Sequence, residues 1–425
     1  MEKSVKFKKI SDLFCSIAVF IIMYACYFNA IKTISISYIA TLVVALTCLC
    51  IAFLLSGNKK IVMYFPSILF FLVILYSKIF TIDEDTTNRF LLTYLIYMLI
   101  SFLIIGMKKW EKSLQIISIV FSSITTIVTI VSWISPEWYI SNIIPTLYSN
   151  SQTTMYNLVQ YAKSYPGIFA STGVNAFFIS VGVAVLFSMI IFKRKNSRLA
   201  IVLIILHILA LLLTLKRATL VLNILSILVI LLLNNSNAKK KIKFLIIGVI
   251  VICLSYCIFP QVFNNTLSRF QTNSKDELLN GRAELYNFAK KSINNKIFYG
   301  YGFGCFSKAY ARYNTYNGIS LDTHNEILQI ASETGIFGIP LIFIPLIYIY
   351  IYTIKKFKKI KYNSYEKFSI AISIYIQTYF LTYLFVGNPF HDSSIYLTYL
   401  LFTLSAVIRK EKSDNEGSFN NNSSI

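Results

Sequence analysis

Residues 201–233 read IVLIILHILALLLTLKRATLVLNILSILVILLL. From Leu199 onward it is nearly one apolar run, broken mainly by His207 and the segment TLKRAT at 214–219. A helix crossing a hydrocarbon core of ~30 Å needs about 20 residues, so the run is too long for one pass and short for two. Basic clusters flank it at 193–198 and 239–243, and short Lys/Arg-rich loops mark the cytoplasmic side of a membrane. With both flanks on that side, the chain must cross and return, turning at Lys216–Arg217. Each leg is short, so either the bilayer thins or the turn sits below the outer surface. An arginine at that depth is costly and is kept where it serves a wet cavity. The plainer alternative is an arginine that snorkels to lipid headgroups.

Outward from this hairpin the pattern repeats. Hydrophobic residues make up 56% of the 425 positions and charged residues 14%, against about 25% charged in soluble chains. Apolar runs suggest twelve spans, at 12–30, 35–56, 61–80, 90–106, 113–134, 173–192, 199–215, 218–233, 244–260, 326–353, 368–387 and 394–408. The expectation is an all-α polytopic membrane protein. Five spans fill 1–134, an outer loop covers 135–172, four more spans fill 173–260, and a large outer loop covers 261–325. The last three spans fill 326–408, before a polar cytoplasmic tail, 409–425. Loops that this alternation places inside hold 26 of the 40 Lys and Arg residues, and eight of the other 14 lie in the loop 261–325. Long loops escape the positive-inside bias, so both termini are expected in the cytoplasm.

The net charge of +22 does not point to nucleic acid, because the basic residues are scattered between spans rather than gathered on one soluble module. Six of the seven cysteines (Cys15, Cys26, Cys48, Cys50, Cys253 and Cys257) fall in or at the ends of apolar runs, and Cys305 stands alone in a polar loop. No spacing suits a disulfide framework or zinc. The first apolar run has a basic flank but is too long for a signal h-region, so it is expected to remain as a span.

In the large loop, NGRAELYNFAKKSI (280–293) alternates apolar and charged residues at helical spacing. It reads as an amphipathic helix at the outer interface, with Arg282 in its first turn. YGYGFGCF (299–306) follows. Without a preceding strand or a following GKS it is not a nucleotide loop, and a turn packing on the membrane or touching a sugar fits better. Thr323-His324-Asn325-Glu326 fits a capping box, with Thr323 as N-cap, Glu326 at N3 and His324 at N1 of a long span. Gly335 and Gly338 then mark a close-packing helix face. A helix N-terminus disfavours a charged imidazole and attracts anions, which would set a neutral proton acceptor beside an anion site. His207 reads as a hydrogen-bonding residue inside the bundle, and His391–Asp392 as an outer turn after VGNPF. In PGIFASTGVNA (166–176), Pro166–Gly167 marks a turn and Asn175 a helix start.

His324, Asn325, Gly335 and Gly338 form the pattern H-N-x9-G-x-x-G, which resembles the signature of the O-antigen ligase and polymerase family. TLKRATL, with Arg217, resembles that family's S/T-R motif. GRAELY, with Arg282, followed by YGYGFGCF resembles its G-R…G-x-G segment. Gly167, Phe169 and Asn175 are similar to a looser motif. The resemblance runs from about residue 165 to 350 and leaves the first five spans without a counterpart.

The resemblance implies a metal-independent, inverting membrane glycosyltransferase without cofactor, acting at the outer face of the bacterial inner membrane. Its donor would be an oligosaccharide on undecaprenyl diphosphate. Arg217 and Arg282 would neutralise the diphosphate, and His324 would activate the acceptor hydroxyl. Lys216, Asn325, Tyr301 and Arg312 are further candidates for substrate contact. The reading put first is a polymerase joining repeat units of a surface polysaccharide, alongside a flippase and a chain-length regulator. A ligase moving finished glycan to lipid A core uses the same chemistry, as do relatives that glycosylate proteins. A transporter of the lipid-linked unit also fits twelve spans, but no two-half repeat is visible.

Overall fold

A computed structural model describes residues 2–29, 31, 37–56, 63–107, 110–192, 194, 196–234, 260, 282–313, 321–360 and 364–407. The expected span at 244–260 except its last residue, the loop segments 261–281 and 314–320, and the tail from 408 lie outside the described residues.

The described chain is helical throughout, apart from one isolated β-bridge between Ile31 and Leu147. In order, the helices are α1 (Glu2–Phe28), α2 (Tyr38–Ser56), α3 (Phe65–Lys78), α4 (Glu84–Ile105), α5 (Trp110–Ile134), α6 (Pro136–Asn142), α7 (Ser149–Gln160), α8 (Thr172–Ile191), α9 (Ser197–Leu213) and α10 (Arg217–Leu233). Then come α11 (Ala283–Asn295), α12 (Phe306–Tyr313), α13 (Glu326–Thr334), α14 (Gly338–Lys359), α15 (Tyr365–Tyr383) and α16 (Ser393–Val407). Among the described residues, six helices are long and apolar enough to cross a membrane: Phe7–Phe28 of α1, then α2, α4, α5, α8 and α14. Shorter apolar helices are α3, α9, α10 and α16. Helices suit an apolar solvent because each satisfies its own backbone.

The centre of the bundle is α8, together with α15 and α16, which are buried along nearly their whole lengths. A helix apolar on every side is stable only when surrounded. Against α8 lies α5, whose buried residues include Ser118, Ser122, Thr125, Thr126, Thr129 and Ser132. Small side chains let two backbones approach where lipid gives no hydrophobic drive between helices. His207 of α9 accepts or donates within this layer, with Nδ1 2.8 Å from the Leu203 carbonyl and Nε2 3.1 Å from Ser122 Oγ. A carbonyl can only accept, so Nδ1 carries the proton and Nε2 accepts from the serine. On the periphery, Val44, Leu54, Leu199, Val202, Ile344 and Tyr348 point outward from α2, α9 and α14.

Three readings from the sequence are corrected. The expected span 326–353 is two helices, α13 and α14, broken at Gly335 (φ +74°). Gly335 and Gly338 are therefore not one helix face. Gly335 lies where the chain turns, and a Cβ there would come within 2.3 Å of the Phe298 backbone. Only glycine combines that left-handed backbone with so close an approach. Asn175 does not start α8, since Ser171 caps it by accepting from Gly173 N. Asn175 is buried within the helix and donates to Thr129 Oγ1 at 2.9 Å and to the Tyr165 carbonyl at 3.3 Å. The third correction concerns the cap at Thr323, which belongs with the site.

Candidate functional site

The hairpin turn is pinned from outside. Ser164 Oγ donates to the Thr214 carbonyl at 2.7 Å and Tyr165 N to the Leu213 carbonyl at 3.1 Å. The turn then passes through Leu215 in a left-handed conformation (φ +52°) to Lys216, the N-cap of α10. Lys216 is exposed and Arg217, the first residue of α10, is half-buried. Arg282 occupies the equivalent place on α11, as its N-cap residue, also half-buried. The amphipathic helix read at 280–293 is present as α11, with Leu285, Phe288, Ala289 and Ser292 buried.

The capping box at 323–326 is not what forms. Asn325 is the N-cap of α13, its Oδ1 accepting from Leu328 N at 3.2 Å. Thr323 instead closes a local turn, its Oγ1 accepting from Asn325 N at 3.1 Å. Glu326 is thereby the first helical residue, and His324 stands outside the helix with φ +53°. Asparagine outranks threonine as a cap, and the short T-x-N turn is compatible with it. Glu326 is not a capping carboxylate. It is fully buried, accepts from Phe390 N at 2.9 Å and meets His391 Nδ1 at 2.7 Å.

His324 is solvent-accessible. Partial withdrawal from water and the positive charges of Arg282 and Lys216 push its imidazole below the usual value, while Asp322 opposes them. Cations from two distant segments thus lie within electrostatic reach of one histidine. Arg282 also acts on Tyr383, at the end of α15, whose hydroxyl lies near the start of α8 at Gly173. The N-termini of α10, α11 and α13 thus each present a basic side chain or a histidine at one site. Peptide N–H groups at helix starts carry partial positive charge, so this arrangement suits an anion.

The glycine loop is scaffold for this site. Tyr301 N donates to the Ser332 carbonyl at 3.1 Å and Gly302 N to the Glu333 carbonyl at 2.9 Å. Gly300 (φ +64°) lies so close to α13 that a Cβ would meet the Glu333 backbone at 2.3 Å. Tyr301 lies under Lys296, whose Nζ is 4.4 Å from the ring centre. Arg312 reaches the Ile82 carbonyl at 3.5 Å, and its neighbour Lys308 pairs with Asp83. The contacts of Tyr301 and Arg312 therefore run to the 82–83 turn and Lys296, whereas Arg282 and Lys216 act electrostatically on His324.

Sequence reading passed over Glu333 and Tyr383 and took His391 for part of an outer turn. Glu333 is fully buried and accepts from Gly304 N at 2.8 Å and Phe306 N at 2.9 Å. Its signal was a carboxylate inside an apolar stretch, which is costly unless satisfied. Among the described residues, no group of three or more His, Cys, Asp or Glu side chains is arranged to hold a metal ion.

A family model described as O-antigen ligase matches residues 200–344. The range holds Lys216, Arg217, Arg282, His324, Asn325, Gly335 and Gly338, and the match supports the O-antigen ligase and polymerase superfamily, as the motifs suggested. No curated protein matches the chain.

Proposed function

We propose, from the premise that the chain belongs with the O-antigen ligase and polymerase superfamily, that it polymerises a surface polysaccharide. It joins repeat units carried on undecaprenyl diphosphate at the outer face of the bacterial inner (plasma) membrane. Twelve spans with both termini in the cytoplasm would put the turn at Lys216–Arg217 and the loops carrying Arg282 and His324 on that face. The observation that carries the reading is that Arg282 and Lys216 lie within electrostatic range of His324, each at the start of a helix or just before it.

In the proposed reaction, neutral His324 takes the proton of the acceptor sugar hydroxyl. The hydroxyl oxygen forms a bond to the anomeric carbon of the donor as that carbon's bond to the diphosphate oxygen breaks. The electron pair leaves with undecaprenyl diphosphate, and the configuration inverts. Arg217, Arg282 and Lys216, with the helix-start N–H groups, stabilise the charge that gathers on the leaving diphosphate. This is metal-independent chemistry, in which fixed cations supply the electrophilic help. Asn325 serves by holding the start of α13, so that His324 projects from a fixed point.

The test is His324→Ala expressed in a host that makes the lipid-linked unit. Long glycan should vanish, single units should persist, and protein level should be unchanged. Full-length chains at normal protein level would refute the base assignment. A second reading, transfer of finished glycan to lipid A core, is favoured by the description of the matching family model. Deleting a ligase leaves long chains on undecaprenyl diphosphate, whereas deleting a polymerase leaves one-repeat products.

A further inference from the structure

His391 lies between two buried carboxylates. Its Nδ1 is 2.7 Å from Glu326 Oε1 and its Nε2 is 2.7 Å from Glu333 Oε2. Both glutamates are fully buried. A carboxylate only accepts, so two such contacts need both ring nitrogens protonated, or the same proton resident on one carboxyl. Either way the trio shares one proton beyond a neutral imidazole with two carboxylates. Phe303 stacks on the imidazole at 4.7 Å and 13°, and Phe90 meets it edge-on at 5.7 Å. Aromatic faces favour a cationic ring. The remaining carboxylate oxygens are not left idle: Phe390 N donates to Glu326 Oε2 and both Phe306 N and Gln329 Nε2 to Glu333 Oε1, while Gly304 N shares Glu333 Oε2 with the imidazole.

The elements joined here are the ones that carry the proposed transfer site. Glu326 and Glu333 sit one at each end of α13, directly after His324 and Asn325. Phe303, Gly304 and Phe306 belong to the glycine loop and α12, which follow α11 and its N-cap Arg282. His391 belongs to the turn that follows α15 and Tyr383. Arg282 and His324 belong to the same expected loop, 261–325, and are separated in it by α11, the glycine loop and α12. Burying one imidazole between two carboxylates is a poor source of net stability compared with apolar packing. Its geometric demand is strict, because loss of any member strands a buried charge.

We propose that the Glu326–His391–Glu333 bridge is a positioning device that sets the spacing of His324 from Arg282 and Tyr383 by locking α13, the glycine loop and the 387–392 turn together. The inference rests on the glycan-transfer reading, in which that spacing decides how base and diphosphate-binding cation face the reacting carbon. His391 is a positioning residue and touches no reacting atom.

The experiment uses the full-length protein in detergent with diethyl pyrocarbonate, which modifies neutral imidazoles, read residue by residue by mass spectrometry across pH. His324 should label readily in the wild type, and buried His391 and His207 should resist. Labelling of His391 as fast as His324 in folded wild type would overturn the bridge itself. In His391→Gln, with the thermal midpoint recorded, the pH midpoint of His324 labelling should rise, because its distance from Arg282 and Lys216 has changed. Chain joining in cells should fall tenfold or more at equal protein level. Glu326→Gln keeps an acceptor for His391 and should show the same changes in smaller degree, which serves if His391→Gln does not fold. Folded variants with the wild-type labelling midpoint and product ladder would overturn the positioning role. His324→Ala separates the two claims: if it retains joining, the transfer reading fails, whereas an inactive His324→Ala beside fully active bridge variants sinks only the positioning role.

Discussion

The loop 321–325 and the turn 387–392 each present one histidine to the same short helix, and they treat it in opposite ways. His324 stands in the open with a left-handed backbone (φ +53°) and two cations nearby. His391 is closed in between Glu326 and Glu333 and stacked on Phe303. The first is pushed toward the neutral form, chiefly by partial burial and Arg282. Burial alone would lower the second as well, yet the two carboxylates outweigh it and hold His391 well above the usual value. In the proposed reaction, identical side chains presented to one helix thus serve proton acceptance and structure. The difference lies in the charge of the neighbours rather than in exposure alone.

The comparison can be broken at several points. Arg282→Ala removes a cation from the open side only. It should lower transfer by about a hundredfold, the usual scale for losing one charge-stabilising donor, while the thermal midpoint stays near that of wild type. A larger fall in stability than in turnover would assign Arg282 to structure. Gly335→Ala attacks the shared scaffold. A Cβ 2.3 Å from the Phe298 backbone at φ +74° should cost on the order of 3 kcal/mol, measured by thermal or denaturant unfolding. An unchanged midpoint would mean the glycine loop is not packed on the end of α13 as described.

Acid and alkali should act on the two histidines separately. Because the His324 imidazole is held below its ordinary value of 6.5, its base form persists below that pH and the acid limb of turnover should lie lower still. Asp322→Asn removes the charge that raises it and should shift the limb further to acid. His391 is raised, so its contribution to stability is complete below about pH 6.5. That contribution is lost as pH rises through its folded-state value. The wild-type melting temperature should therefore decline on the alkaline side, with part of the slope missing in His391→Gln. The smallest change in stability is expected from His324→Asn. Asparagine accepts a left-handed backbone more easily, so the variant should gain ~0.5 kcal/mol of stability while losing transfer. Loss of both would argue that His324 is held by packing rather than strained for function.

Much of this was legible in the sequence because membrane solvation is a blunt filter. Apolar length located α2, α5, α8, α9, α10, α15 and α16 to within a few residues, and the basic pair at 216–217 located the turn. The reading failed where apolar runs conceal breaks. ILQIASETGIFG looks like the start of a long span, but its last glycine-containing turn must admit Phe298, and no local pattern announces a contact with a segment some forty residues upstream. T-x-x-E suggested a capping box, yet a partner at His391 draws Glu326 into the interior. His324, Arg217 and Arg282 were found through motif resemblance. Glu333 and His391 were not, because their meaning depends on each other and on the approach of the turn after α15 to α13.

The most direct measurement is joining by purified protein given lipid-linked repeat units in detergent, wild type beside His324→Ala. A new glycosidic bond with release of undecaprenyl diphosphate should form with the wild type. It should fall by about 10²–10⁴-fold in the variant, the range expected for losing a general base, with the thermal midpoint preserved. Wild-type protein that moves or binds the unit without forming a bond, or a variant that joins units at the wild-type rate, would contradict the assignment of His324 as the base of a glycan transferase.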